Sequence, residues 1–185
     1  MVFTFQVANG TSQQELGALR MYQIKIICLI IFLTLLTFIA PAKAWDGKVV
    51  GVSDGDTITV MHNGRGERIR VYGIDAPENS QDFGKRAKQF ASNQVFGEIV
   101  TIEPIDVDRY GRTVSIVVYG RGQNLSEELI KAGYAWVYRK YCTLRFCGEW
   151  QGLEHDARIE GVGLWSQSQP IPPWEFRKKG RRGIK

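Results

Sequence analysis

The sequence predicts a mainly β member of the α+β class, a small five-stranded Greek-key barrel carrying about three helices. Three observations lead there. Five short segments rich in β-branched residues lie between residues 48 and 119, separated by Gly- and Asn-containing turns. A helical stripe falls between the third and fourth of these segments, and further helical segments follow the fifth. The composition, 44% hydrophobic and 23% charged with 20 glycines, is that of a turn-rich globular chain, which excludes disorder, collagen and coiled coil.

Each element has its own reason. Strands are expected over residues 48–53, 56–61 and 67–74. Asn63-Gly64 between the second and third is the residue pair of a two-residue hairpin turn, where both positions need positive φ. Within Arg68-Ile69-Arg70-Val71-Tyr72 the alternation puts Ile69 and Val71 on one face and Arg70 on the other. A helix is expected over residues 81–96, with Phe83, Ala87, Phe90 and Ala91 along one stripe. Residues 99–104 and 113–119 are two more strands. Asn124 is placed to cap a helix running through Ala132, with Glu127 three residues on as in a capping box. Gly133 ends it, and a last helix spans residues 150–159. Five strands in this arrangement suggest a barrel of the OB type, although strand count alone does not separate it from an SH3-like barrel. Residues 169–185, with prolines at 170, 172 and 173 before a basic run, read as an extended tail.

The N-terminal 44 residues stand apart from this pattern. Residues 26–40 form an uncharged, almost wholly apolar run shorter than the roughly 20 residues a membrane-spanning helix needs. Lys25 precedes it, and Ala42-Lys43-Ala44 follows as an A-x-A site. These are the three parts of a secretory signal peptide. Cleavage is expected after Ala44, giving a secreted or periplasmic domain over residues 45–168. A retained segment would instead tether the chain at a membrane. Met21, directly ahead of the apolar run, is the expected translational start, with residues 1–20 lying upstream of it.

The formal net charge of +5 is unevenly placed. Six of the basic residues fall in residues 177–185 (RKKGRRGIK), leaving 15 basic against 18 acidic residues between 45 and 176. The body is mildly acidic, and its short basic end reads equally as a phosphate-attracting segment or a solubilising one. Of the three cysteines, Cys28 lies in the N-terminal segment. Cys142 and Cys147 are expected to form a disulfide in an oxidising compartment. His62 and His155 read as surface or locally satisfied histidines. Trp136, Trp150 and Trp165 read as packing residues rather than base-stacking platforms.

Three clusters carry chemistry. Asp54-Gly55-Asp56-Thr57 forms a turn opening a strand. Arg70 is followed by Asp75-Ala76-Pro77-Glu78. Asp108-Arg109-Tyr110-Gly111-Arg112 joins the fourth and fifth strands. Each alone has a bland reading as a turn, a strand end blocked by Pro77 or a solvated hairpin loop. Together they supply hard oxygen donors suited to Ca²⁺, bidentate guanidinium donors for phosphate oxygens and a further carboxylate able to orient or deprotonate water. Phosphodiester hydrolysis requires these groups, because charge builds on the phosphoryl oxygens as water attacks.

The motifs D-G-D-T, R-x-x-x-x-D-x-P-E and D-x-Y-G-R occur here in order, and with them the chain resembles the staphylococcal nuclease-like (SNase-like, thermonuclease) domains from about Lys48 to Trp165. The resemblance implies that Asp56 and Asp75 are carboxylate ligands of Ca²⁺. Ala76 stands where the family usually has Thr and ligates through its main-chain carbonyl, a role that tolerates the change. Glu78 matches the residue cast as general base. Arg70 and Arg112 match the arginines that hold the scissile phosphate, and Asp54 matches an acid just behind the metal. Tyr110 matches an aromatic beside the bound nucleotide, and Arg109 is a further candidate contact. Residues 79–84 are shorter than in the best-known member, and Tyr138, Arg139 and the Cys142–Cys147 loop differ from it.

The activity so implied is that of a Ca²⁺-dependent endonuclease acting on DNA and RNA. It would break the P–O5′ bond, leave 3′-phosphates and prefer single-stranded or unpaired regions. A monomer with no stable protein partner is the expected state. The alternative is a catalytically inactive barrel that only binds nucleic acid or protein. Turnover dependent on Ca²⁺ separates the two.

Overall fold

A computed structural model describes residues 11–36 and 43–182. The chain divides into two compact units, residues 1–41 and 42–185. The described residues of the first form α1 (Thr11–Leu36), whose side chains from Leu16 to Ile31 are exposed. Among the described residues no helix is long and apolar enough to cross a membrane. Part of the apolar run and Ala42 of the expected cleavage site lie outside the described residues.

The second unit is the barrel. Strand β1 (Trp45–Asp54) pairs antiparallel with β2 (Thr57–His62), and β2 with β3 (Arg65–Val71). Asn63 and Gly64 form the turn between β2 and β3 with φ of 49° and 77°, the positive pair a two-residue hairpin demands. Strand β5 (Ile99–Val107) pairs with β1 on one side and with β6 (Thr113–Tyr119) on the other. Parallel pairing of β3 with β6, from Ile69 opposite Thr113 to Val71 opposite Ser115, closes five strands into the expected barrel. A two-residue strand β7 (Gln123–Asn124) extends the edge of β6.

Alternation fills the interior as the sequence indicates. Ile58, Val60, Ile69, Val71 and Ile102 are buried, whereas Arg70 projects from the opposite face of β3. Helix α2 (Gly84–Val95) closes one end of the barrel with the fully buried Ala87, Ala91 and Val95. Helix α3 (Leu125–Lys131) adds Leu125, Leu129 and Ile130, and α4 (Cys147–Glu160) adds Trp150. Asn124 caps α3 by accepting the Ser126 N–H at 2.9 Å.

Several details differ from expectation. Strand β1 already begins at Trp45, β5 runs on to Val107, and α4 begins at Cys147 rather than residue 150. The third strand does not run on to residue 74. It stops at Val71, turns at Tyr72-Gly73, and resumes as β4 (Ile74–Asp75), which pairs with β8 (Trp136–Val137). Gly73 has φ +74°, and a Cβ there would lie 2.7 Å from the Trp150 ring and 2.9 Å from Cys142 Sγ, so only glycine turns the chain here. Helix α2 starts at Gly84 rather than residue 81, because the preceding residues close two turns, Gln81 N–H onto Glu78 O and Gly84 N–H onto Gln81 O. Glu127 does not complete a capping box, since its Oε1 accepts the Trp150 indole N–H at 3.1 Å. The C-terminal segment is not extended but forms α5 (Pro173–Arg182), with proline at its first position and Glu175 in its first turn. With α5 and a short 3-10 turn at Gly163–Ser166, the helix count slightly exceeds the expected three.

Cys142 and Cys147 are joined, with Cα atoms 5.7 Å apart. Trp136 and Trp150 are buried, and Trp165 is half-buried with its ring edge-on to Trp136. His62 lies flat on Trp45 at 3.8 Å and pairs with Glu67 at 3.1 Å, whereas His155 is exposed on α4.

Candidate active site

The site grows out of the turn between β1 and β2. Register shifts between Val49 and Gly51 and between Val52 and Asp54 bend the end of β1, a device that re-aims side chains at a barrel rim. Asp54 Oδ1 accepts the Asp56 N–H at 3.1 Å and fixes the turn. Gly55 packs so closely that a Cβ would lie 2.7 Å from Ala76 Cβ and 2.9 Å from Ala87 Cβ. Three small residues thus let the turn, β4 and α2 meet, which brings Asp56 within reach of the backbone of Ala76.

Asp56 and Asp75 are buried, at 2% and 0% exposure. Such carboxylates persist only when paired. Asp56 Oδ2 accepts the Ala76 N–H at 2.6 Å, and its Oδ1 accepts the Thr57 hydroxyl at 3.2 Å. Arg70 bridges the two carboxylates, pairing through Nη1 with Asp56 Oδ1 and donating from Nη2 to Asp75 Oδ1 at 2.8 Å and to Ile74 O at 3.2 Å. Burial pulls the Arg70 pKa below its usual value while the charge of Asp75 opposes the shift. Guanidinium remains protonated throughout.

Arg112 arrives from the β5–β6 hairpin. Its Nε donates to Asp108 Oδ2 at 2.7 Å, and its Nη1 lies 3.5 Å from Thr57 Oγ1, which ties it to the same end of β2 as Asp56. Asp108 Oδ1 accepts the N–H groups of Tyr110 at 2.9 Å and Arg112 at 3.0 Å. Burial alone would raise the Asp108 pKa, but these hydrogen bonds and the Arg112 charge outweigh it and hold the carboxyl below its ordinary value. Tyr110 is 66% exposed, with the guanidinium groups of Arg109 and Arg112 at 4.8 and 5.4 Å from its ring centroid. Arg109 also donates to the Tyr110 hydroxyl at 2.8 Å.

Glu78 is held by the tight loop that opens α2. A Cβ at Gly84 would collide with the Glu78 carbonyl, so the loop closes this far only with glycine there. The Glu78 side chain meets a residue that sequence reasoning assigned to an extended tail. Arg177 of α5 donates from Nη1 to Glu78 Oε1 at 2.6 Å and to Asp75 Oδ1 at 3.2 Å, and from Nη2 to Asp75 Oδ2 at 2.7 Å. Burial would lower its pKa, but the hydrogen bonds and charges of both carboxylates raise it instead. The sequence signals for α5 are Pro173 and Glu175 at a helix start, with Trp174 and Phe176 beside them ahead of the cations.

The structure therefore brings Asp56, Arg70, Asp75 and Ala76 into one hydrogen-bonded cluster, links Glu78 to it through Arg177, and attaches Arg112 through Thr57. Tyr110 and Arg109 extend from Arg112 at the hairpin tip, and the Cys142–Cys147 bridge packs into the core at Gly73. Among the described residues no three of His, Cys, Asp and Glu converge on one point. The donor chemistry of Asp56 and Asp75 nevertheless fits a hard cation, being all carboxylate oxygen with no sulfur or imidazole. The remaining ligands would be main-chain oxygen, as at Ala76, and water.

A closed OB-type barrel with buried carboxylates and guanidinium groups at one rim defines a class of domain suited to phosphate esters. Residues 68–167 match the family model described as staphylococcal nuclease homologue. The chain belongs to that family. A protein of Escherichia coli O157:H7 named "Uncharacterized endonuclease" is 41% identical over 133 residues, covering 72% of this chain and 85% of that protein. The "Micrococcal nuclease" of Shigella flexneri is 36% identical over 154 residues, covering 77% and 88%. A Haemophilus influenzae protein, also named "Uncharacterized endonuclease", is 36% identical over 133 residues, covering 71% and 72%.

Proposed function

We propose that this protein is a secreted or periplasmic Ca²⁺-dependent endonuclease that hydrolyses DNA and RNA, preferring unpaired strands and leaving 3′-phosphates. The observation that carries the reading is the Asp56–Arg70–Asp75 cluster at one barrel rim with Glu78 beside it. Membership of a nuclease family and relatives named as nucleases support it. The apolar segment ahead of the barrel supports export, and β1 begins at Trp45, directly after the expected cleavage point.

Asp56, Asp75 and the Ala76 carbonyl would hold the cation. When bound, Ca²⁺ supplies positive charge that polarises a phosphoryl oxygen and lowers the pKa of water. Glu78, the least buried of these carboxylates, takes the proton of the attacking water. The water oxygen bonds to phosphorus as the P–O5′ bond breaks, and the 5′-oxygen leaves with a proton from solvent. Arg70 and Arg112 donate to the non-bridging oxygens as their charge rises, and both remain charged at any working pH. Asp56 and Asp75 hold Arg70, and Asp108 holds Arg112, so neither guanidinium must be ordered during the reaction.

The test is cleavage of a single-stranded oligonucleotide by the full chain in Ca²⁺ and then in excess EGTA. Glu78→Gln is expected to lower kcat by about 10²–10⁴, and Arg112→Ala by about 10²–10³. A folded protein that binds the strand yet cuts nothing in any divalent metal would overturn the reading in favour of a binding module.

A further inference from the structure

Helix α5 delivers a cation to the carboxylates that the proposed function assigns to metal binding and proton transfer. Both oxygens of Asp75 and one of Glu78 accept from Arg177. We propose that Arg177 is a tethered competitor of the divalent cation, so that α5 acts as an autoinhibitory latch on the nuclease site. This inference rests on the calcium-dependent reading given above.

The contact is built rather than incidental. Trp174 stacks on Tyr138 with centroids 5.1 Å apart and planes within 11°, and it meets the edge of Trp136 at 6.5 Å. Trp136 lies opposite Asp75 in the β4–β8 pairing, so the aromatic seat of α5 and its carboxylate target share one ribbon. Trp174 and Arg177 are three residues apart and therefore lie on the same helix face. Ahead of the helix, Gln81 in the Glu78 loop donates to the Ile171 carbonyl. Two anchors, at Ile171 and Trp174, thus hold the chain just ahead of the guanidinium.

The chemistry makes the partners mutually exclusive. With Arg70 and Arg177 both on Asp75, its oxygens have little capacity left for a metal, and Glu78 hydrogen-bonded to a permanent cation is a poor proton acceptor. Guanidinium does not deprotonate in the working range, so release comes from competition. A doubly charged ion coordinated directly by the carboxylates is the stronger claimant. The competing state is also separable from the barrel, because α5 has exposed lysines at 178 and 179 and a glycine at 180, a poor helix former.

The experiment compares calcium affinity, by calorimetry on metal-stripped full-length chain, for wild type, Arg177→Gln and Trp174→Ala. Arg177→Gln is expected to bind Ca²⁺ about tenfold more tightly, as when a binding-competent state rises from a tenth to nearly all of the population. Trp174→Ala should move affinity the same way without altering the charge. Half-maximal cleavage of a single-stranded oligonucleotide should need correspondingly less Ca²⁺ in both. Lys131→Gln, which removes a cation from α3, should leave calcium affinity unchanged. Equal affinity in wild type and Arg177→Gln overturns the latch and leaves the nuclease reading intact. Tighter binding in Lys131→Gln to the same degree reduces the effect to net charge and overturns it too. Slower cleavage by Arg177→Gln at saturating Ca²⁺ would place Arg177 in the reaction instead. Absence of calcium binding in every variant brings down the calcium-dependent reading, and the latch with it.

Discussion

Asp108 shows how a single carboxylate sets the position of an arginine, here the one proposed to hold the phosphate. It accepts from the Arg112 side chain and from two backbone N–H groups, and its pKa lies below the ordinary carboxylate range. A depressed native pKa stabilises the fold fully above the unfolded value of about 3.9, and the contribution is lost as pH falls towards the lower native value. The Asp108 carboxyl carbon should therefore titrate below pH 3.9 by NMR, and a midpoint at or above that value would remove the premise. Asp108→Asn keeps the shape but loses the charge, and kcat for single-stranded DNA should fall by about tenfold while Arg112 still donates weakly. Gly55 makes the complementary point. Gly55→Ala forces a methyl against Ala76 and Ala87 and should cost about 1–3 kcal/mol in chemical denaturation. The Asp-Gly-Asp signature needs its glycine for space between three backbone segments, which no turn propensity reveals.

At the scale of elements, what could be read in advance was set by local physics. The hairpin at Asn63-Gly64, the burial of Ile69 and Val71 against Arg70, the full extent of β6 and the Asn124 cap all follow from side chains acting within a few residues of themselves. Asn124→Ala should destabilise the fold by about 1 kcal/mol, seen as a lower denaturation midpoint with unchanged slope. What was not legible depended on distant partners. Glu127 leaves its capping position for the indole of Trp150, and the third strand breaks at Gly73 because Trp150 and Cys142 crowd that turn. Helix α5 was hidden for the same reason. Its sequence, rich in cations and interrupted by glycine, has little tendency to be helical alone, and its stacking on Tyr138 is a tertiary contact. The three motifs marked Asp56, Arg70, Asp75, Glu78 and Arg112 as candidates, and the fold draws them towards one rim, whereas Arg177 carried no motif.

On the scale of the whole molecule, the barrel gathers residues from β1 to α5 at one rim, so ligand binding there should be felt as global stability. Calcium at a hundredfold excess over its dissociation constant is expected to add about 2.7 kcal/mol, which raises Tm by roughly 5–10 °C for a chain of this size. EGTA should reverse the shift. A Tm indifferent to calcium would count against a metal ligand set built on Asp56 and Asp75. Charge is divided along the same chain, with an acidic body and a basic end. That division places a countercharge for the body's most buried carboxylate in the last helix of the fold. Preparation of the protein is affected directly. Removal of α5 would take Arg177 away from Asp75 and leave every barrel strand in place. If Arg177 competes with the metal, a preparation lacking α5 is expected to reach half-maximal cleavage at a lower Ca²⁺ concentration than one that keeps it.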